Sequence, residues 1–300
     1  RNFVQNCHFN ALAQTCVIIG ESCGNIISHN LGENYQASFV SVFGGCENII
    51  EYNESASGGF NGNEAYIIYI DGQYNARNNH VRYNYIHDNS PDPNSILLGQ
   101  GIALDDVGES NFVYGNIIKN LGGTIGINGG DNNIIDGNVI INSTEPIKCS
   151  DGMYSTEENQ GNAILNDLRK GRLTYRYYNY GLGDGTNWSM RYPKAVDRMK
   201  CLEEVSRRWN TGDHTSEEMM FMRAATGNYI VNNIMVNSPD IITGPNITDF
   251  YYSGNPENGV PDLNGNDYSV VWNNKSVEKF DIESLDYFAK IGMTYKPTYK

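Results

Sequence analysis

The feature that most constrains the fold of this chain is a short asparagine phrase that recurs along it. Each copy has one Asn, two apolar or nearly apolar residues, two variable residues and a second Asn. Six copies begin at Asn25, Asn48, Asn79, Asn111, Asn133 and Asn228. Their starts are separated by 23, 31, 32, 22 and 95 residues, which indicates a base period near 22 with two modest additions and one large insertion.

This repeat predicts an all-β fold, a right-handed parallel β-helix with one large, partly helical insertion. Each copy reads as a short strand, a turn at the second Asn and another strand, and such a unit buries its apolar side only when stacked on others. We expect seven to nine coils with a rise of about 4.8 Å each, and ladders of side-chain amides at the two Asn positions. A leucine-rich repeat would need a regular Leu pattern that the chain lacks, and a propeller would need a period near 40 residues.

The composition narrows the classes of partner. The 32 Gly and 21 Tyr suit many short strands joined by tight turns. A net charge of −14 argues against nucleic acid and anionic membrane surfaces, and no run approaches the 18 apolar residues of a membrane span. Sequons for N-glycosylation begin at Asn53, Asn142, Asn187, Asn246 and Asn274, and they weakly favour an exported protein, secreted or periplasmic.

We interpret residues 1–300 as a single β-helix domain, with residues 151–222 as an insertion packed on its side. The chain enters a strand-like segment at once, so we expect an N-terminal part to be missing. Apolar spacing predicts a helix from Pro193 to Trp209. The insertion is rich in aromatic rings, which suit sugar binding and equally suit a small satellite core. Candidate substrate-binding residues are His87, Tyr175, Tyr177, Tyr178, Trp188 and Arg191.

The six cysteines form no C-x-x-C pair and match no zinc pattern. Cys23 and Cys46 are 23 residues apart, which is one repeat, so the predicted register stacks them on neighbouring coils. We expect a pair of buried thiols there in preference to a disulfide.

The most unusual charged positions end the apolar run GIALDD at residues 101–106. Strand alternation predicts that Ile102 and Leu104 face the core, that Asp105 points outward and that Asp106 lies at the turn. Further acids occur about one coil away or at nearby turns, namely Glu64, Asp131 and Asp151. Such a set suits the paired carboxyls of glycoside hydrolysis, the oxygen ligands of Ca²⁺, or solvated turn residues.

Several short phrases resemble one family of carbohydrate-active proteins. They are NYIHD at 84–88, GIALDD at 101–106, VYGN at 113–116, NGGDN at 128–132 and RYP at 191–193. Over about residues 40–300 the chain resembles family 141 of the glycoside hydrolases, which implies a right-handed β-helix that acts on plant-type polysaccharides.

The resemblance also implies roles for individual acids. Asp105 and Asp106 match the acid pair of the family, and Glu64 stands where the family has an upstream Asp. The family's Asp before an Ala-Arg-Gly turn is met only by Asp151 or Ser150, with no Arg after it.

Three functions follow as hypotheses. The first is an extracellular glycoside hydrolase without a cofactor that acts on a plant or algal polysaccharide, with Asp105 and Glu64 as catalytic pair and Asp106 in support. The second is a polysaccharide lyase in which Asp105, Asp106 and Asp131 hold Ca²⁺, with Arg82 or Lys148 as base. The third is a non-catalytic β-helix that binds glycans or serves as a structural component.

Overall fold

A computed structural model describes residues 1–59, 66–71, 76–88, 100–105, 108–150, 228–238, 242–243 and 271–277, and seven isolated positions between 190 and 213. Within these ranges the chain is built almost entirely of short parallel strands arranged on three faces. The predicted all-β parallel β-helix is therefore confirmed. In the described part of the chain, no helix has the length and apolar character needed to cross a membrane.

Each coil contributes one strand to each face in turn. Face 1 contains β1 (Phe3–Gln5), β4 (Ile26–Ser28), β7 (Ile49–Glu51), β10 (His80–Arg82), β13 (Phe112–Tyr114) and β16 (Ile134–Asp136). Face 2 contains β2 (His8–Asn10), β5 (Leu31–Glu33), β8 (Glu54–Ala56), β11 (Tyr85–His87), β14 (Ile117–Lys119) and β17 (Val139–Ile141). The longer strand β19 (Tyr229–Val236) continues both faces by pairing with β16 and β17, and β21 (Val271–Val277) pairs with β19.

Face 3 is a separate sheet of seven parallel strands. They are β3 (Val17–Gly20), β6 (Val40–Phe43), β9 (Tyr66–Asp71), β12 (Gln100–Asp105), β15 (Gly123–Asn128), β18 (Glu145–Ser150) and β20 (Ile242–Thr243). Together the described strands make seven coils and part of an eighth, in agreement with the seven to nine expected.

On face 1 the interior is filled by one apolar side chain per short strand. Ile27, Ile50, Val81, Val113 and Ile135 follow one another in register on face 1, and each is essentially inaccessible to solvent. Their flanking residues point outward, so each three-residue strand alternates once between solvent and core.

The predicted asparagine ladders are present at two corners. One ladder runs between faces 3 and 1 through Asn25, Asn48, Asn79, Asn111, Asn133 and Asn228, and the other runs between faces 1 and 2 through Asn30, Asn53, Asn84, Asn116, Asn138 and Asn233. At most steps, the backbone N–H and the side-chain Nδ2 of one Asn both donate to the Oδ1 of the next. Because these amides are buried, this bonding satisfies groups that would otherwise oppose burial.

The corner between faces 3 and 1 carries a covalent and an ionic link between coils. Cys23 and Cys46 form a disulfide with Cα atoms 4.5 Å apart, so the expected thiol pair is wrong. The stacking itself was predicted correctly, and adjacent coils in register bring two Cβ atoms within bonding reach. The same column continues to Arg77 and Glu109, which form a buried ion pair.

Little of the predicted insertion lies within the described residues. Lys200, Glu204, Arg207 and Arg208 are helical, which agrees with the helix predicted from Pro193 to Trp209. The Glu204 carboxylate is 3.6 Å from Nη1 of Arg207 and 3.5 Å from Nε of Arg208. These residues are three and four positions apart in sequence, which is the spacing at which ion pairs form along a helix.

Candidate functional site

Asp105 ends β12 on the outer side of face 3. Ile102 and Leu104 of the same strand are buried in the core, whereas Asp105 is partly accessible. The outward direction of this carboxylate therefore agrees with the alternation predicted from the sequence.

Two side chains from neighbouring coils hold the Asp105 carboxylate. The hydroxyl of Tyr69 on β9 donates a hydrogen bond of 2.8 Å to Oδ2, and the amide Nδ2 of Asn128 on β15 donates one of 2.7 Å to Oδ1. These contacts exist because β9, β12 and β15 pair in continuous parallel register. An outward carboxylate with a donor on each oxygen is fixed in position.

Asp71, a residue that the sequence reasoning did not single out, lies beside Asp105. The last residues of β9 and β12 are register partners, which places these two acids on neighbouring strands about 4.8 Å apart along the rod. Ile70 before Asp71 is fully buried, so Asp71 points outward as Asp105 does. A signal was present in the sequence, since Ile68-x-Ile70-Asp71 repeats the pattern Ile102-x-Leu104-Asp105.

Aromatic rings border the two acids on the same face. Tyr66 and Tyr69 stack with ring centres 5.2 Å apart and nearly parallel planes, and Phe43 of β6 meets Tyr69 edge-on at 5.9 Å. Phe43 is substantially exposed. The surface thus combines carboxylates, an amide and apolar ring surfaces, which are the groups that bind sugar rings and their hydroxyls.

Most of the other predicted site residues lie outside the described residues. They are Glu64, Asp106, Asp151, Tyr175, Tyr177, Tyr178, Trp188 and Arg191. The predicted pairing of Glu64 with Asp105 is therefore untested, and Asp71 is the acid that the structure places next to Asp105.

His87 lies on face 2 rather than beside Asp105. Its Nδ1 is 2.9 Å from Asp88 and its Nε2 is 3.2 Å from Glu54, so both ring nitrogens are engaged by carboxylates. Burial acts to lower the pKa of His87, but the hydrogen bonds to Glu54 and Asp88 outweigh it and raise the pKa. These contacts give His87 a role in joining coils, and a role in substrate binding stays a prediction.

The residues proposed for a Ca²⁺-dependent lyase are spread over different faces. Asp131 follows the turn after β15 at the corner, Arg82 lies on face 1 in contact with Glu51, and Lys148 lies on face 3. Among the residues that the structure describes, no three or more His, Cys, Asp or Glu side chains are grouped to hold a metal ion.

Comparison with known proteins adds no family assignment to this geometry. No family model matches the chain, and neither the curated proteins nor the solved structures contain a match to it. The resemblance to family 141 of the glycoside hydrolases therefore stays a prediction from its short phrases.

Proposed function

We propose that this protein is a glycoside hydrolase that acts on a polysaccharide through Asp105 and Asp71 on face 3. The observation that carries the proposal is the register between β9 and β12, which puts the two acids side by side. Glycoside hydrolysis generally uses two carboxyl groups, one that protonates the leaving oxygen and one that acts as nucleophile or base.

The hydrogen bonds favour a division of roles between the two acids. Asp105 accepts hydrogen bonds from Tyr69 and Asn128, which hold its carboxylate in place and suit the group that attacks the sugar or activates water. Asp71 is then the proton donor. Because neighbouring strands are about 4.8 Å apart and retaining enzymes hold their carboxyls about 5–5.5 Å apart, the arrangement favours retention of configuration.

The shape of face 3 supports a polymeric substrate. Seven parallel strands form one continuous surface, and Asp71 and Asp105 lie on its third and fourth strands. In the described part of the chain, face 3 therefore extends beyond the acids on both sides, and Tyr66, Tyr69 and Phe43 supply rings on which sugar units can stack.

The test measures release of reducing ends from a panel of plant and algal polysaccharides. Asp105→Asn and Asp71→Asn should each lower the rate at least about a hundredfold with the fold unchanged, because each removes one catalytic carboxyl. Glu33→Gln is the matched control, since Glu33 also ends a strand but on face 2, away from both acids, and it should retain the parent rate. Full activity in Asp105→Asn would overturn the proposal.

Lys148 gives one reason to test a polysaccharide lyase as a second candidate. It lies on β18 of face 3, in register with Gly126 of β15. Of the two bases suggested for a lyase, Arg82 and Lys148, only Lys148 is on the same face as Asp105. The same incubations on uronate polymers distinguish the reactions, because a lyase produces an unsaturated, ultraviolet-absorbing end and a hydrolase does not. Loss of that absorbance on adding a chelator would support the Ca²⁺-dependent form.

A further inference from the structure

Face 1 and its corner with face 2 carry a second cluster of rings, remote from Asp105 in the fold. His29, Tyr52 and Tyr83 follow one another along the corner, with successive ring centres 5.2 and 5.3 Å apart and nearly parallel planes. Tyr114 of β13 meets Tyr83 edge-on at 5.4 Å. We call His29, Tyr52, Tyr83 and Tyr114 the corner rings.

A charged pair lies against the corner rings. Arg82 donates from Nε to Glu51 at 2.6 Å and from Nη1 to the hydroxyl of Tyr114 at 2.7 Å. Its guanidinium is 6.0 Å from the ring centre of Tyr83 and 5.9 Å from that of Tyr114. Within the described part of the chain Nη2 donates to no other group, and the Arg82 side chain is 29% exposed, so two N–H groups are available to a ligand.

His80 adds a polar group that no described residue satisfies. Its ring stacks on Phe112 at 4.6 Å and meets Tyr114 edge-on at 6.1 Å. Burial, together with the charge of Arg82, lowers the pKa of His80, so the ring is neutral at neutral pH. Its Nδ1 is buried and has no hydrogen-bond partner among the described residues.

The stack of corner rings ends at a notch without side chains. The column that holds His29, Tyr52 and Tyr83 continues to Gly115 and Gly137, all with positive φ. A Cβ at Gly115 would lie 2.6 Å from Tyr83 Cε1, which shows that the Tyr83 ring covers this glycine. A Cβ at Gly137 would meet no atom of the described residues within 4 Å, so the space over Gly137 is open with respect to them.

Polar groups border this notch. Asp136 lies beside Tyr114 in strand register and accepts a hydrogen bond of 2.8 Å from Nδ2 of Asn232. The notch is thus next to the ring of Tyr83, the hydroxyl of Tyr114, the carboxylate of Asp136 and the amide of Asn232. Together these groups can stack on a sugar ring and bond its hydroxyls.

We propose that this surface, the corner rings with the notch over Gly137, is a second carbohydrate-binding site that takes a neutral polysaccharide. One sugar ring lies over Gly137 beside Tyr83, and its hydroxyls bond to Asp136, Asn232 and the free N–H groups of Arg82. Charge supports a neutral ligand, because Arg82 is already balanced by Glu51 and Asp136 would repel a uronate. The site is on face 1, so it can hold a polymer whether or not face 3 is catalytic.

The test measures binding with a chain that cannot turn over the ligand. In full-length protein carrying Asp71→Asn and Asp105→Asn, affinity electrophoresis and calorimetry compare xyloglucan, arabinoxylan and mixed-linkage β-glucan with polygalacturonate. We expect binding to at least one neutral polymer and at least tenfold weaker binding to polygalacturonate. Absence of binding to every neutral polymer would overturn the proposal.

Two further substitutions locate the site. Gly137→Asn fills the notch with a residue that the same column already holds at Asn6 and Asn232 with positive φ, so the fold is retained. Gly137→Asn and Tyr83→Ala should each weaken binding at least tenfold. The control Gly24→Asn, at the corner between faces 3 and 1, where φ is also positive and a Cβ meets no described atom within 4 Å, should leave it within twofold. Unchanged affinity in Gly137→Asn, with an unchanged melting temperature, would overturn the proposal.

Discussion

At the scale of single residues, His87 shows how ionisable side chains link successive coils. It bridges Glu54 on the preceding coil and Asp88 at the end of its own strand, and Asp88 in turn accepts from Asn120 on the following coil. Burial acts to raise the pKa of Asp88, but the hydrogen bonds from Asn120 and His87 lower it. The raised pKa of His87 and the lowered pKa of Asp88 both mean that the charged pair stabilises the folded state.

This arrangement predicts a specific dependence of stability on pH. Because the pKa of His87 is raised on folding from its ordinary 6.5, its contribution is complete below pH 6.5 and is lost as the pH rises through the folded value. The difference in unfolding free energy between the parent and His87→Gln, measured with urea, should therefore be larger at pH 5.5 than at pH 8.5. Asp88, whose ordinary value is 3.8, stays ionised throughout this window.

His8 provides the control for this measurement. It pairs with Glu33 at 2.8 Å on the same face, but half of its side chain is exposed, so solvent and salt screen the pair. His8→Gln should change stability little at either pH. A His87→Gln difference that grows between pH 5.5 and 8.5 would contradict the interpretation.

The residue scale also shows where sequence reasoning stopped. Alternation within GIALDD predicted correctly that Asp105 points outward, because that direction depends only on the neighbouring buried residues. The contacts with Asp71, Tyr69 and Asn128 depend on how three strands align across segments of different length. Asp71 and Asp105 are 34 residues apart, whereas Asp105 and Asn128 are 23 apart. A fixed period near 22 residues therefore did not predict that Asp71 lies beside Asp105.

At the scale of elements, the asparagine ladders explain why spacing alone predicted the fold. The extra residues of the longer coils enter at corners next to face 3, for example between Ala56 and Tyr66 and between His87 and Gln100. Faces 1 and 2 therefore keep the five-residue step from one ladder Asn to the next in all six coils that carry both of them. The large insertion also leaves the ladders intact, since Asn133 and Asn138 bond directly to Asn228 and Asn233.

Removing one ladder side chain tests how much the ladder stabilises the rod. Asn84 is fully buried; its Oδ1 accepts from the backbone N and Nδ2 of Asn53, and its Nδ2 donates to Ile50 O and Asn116 Oδ1. Asn84→Ala leaves buried polar groups unsatisfied at about 1–3 kcal/mol each, so we expect a loss of about 3 kcal/mol or more in urea unfolding.

The matched control for Asn84→Ala is an asparagine in an exposed ladder. Asn142 donates to Asn120 at 2.8 Å and accepts from Asn237 at 2.9 Å, but it lies at the exposed corner after face 2, where water replaces lost hydrogen bonds. Asn142→Gly, which removes the amide and suits the positive φ of this residue, should lower stability by less than about 1 kcal/mol. Equal losses in the two variants would show that burial of the amide is not what makes the inner ladder important.

At the scale of the whole molecule, the described strands of each coil pair only with strands of the coils next to it. Stability in such an array is close to a sum of contributions from single coils and their interfaces. Among the described residues the first coil has a neighbour on one side, and its inward residues Val4 and Phe9 are only partly buried, whereas the inward residues of the middle coils are fully buried. We therefore expect protection of backbone amides to rise from the first coil toward the middle of the rod.

The disulfide provides a test of how locally the rod responds to a change. Cys23 and Cys46 join the corners that lead into the second and third coils, closing a loop of about 23 residues, for which chain entropy predicts stabilisation of roughly 3 kcal/mol. In Cys23→Ser/Cys46→Ser, hydrogen exchange followed by mass spectrometry should become faster in β1 through β6. Exchange in β13 through β15 should stay as in the parent, because no contact of the disulfide reaches those coils.

Cys7→Ser, which alters a free thiol on the first coil, should leave both regions unchanged. If exchange instead rises equally along the whole rod, the coils unfold as one cooperative unit, and the description by nearest neighbours is wrong for this protein.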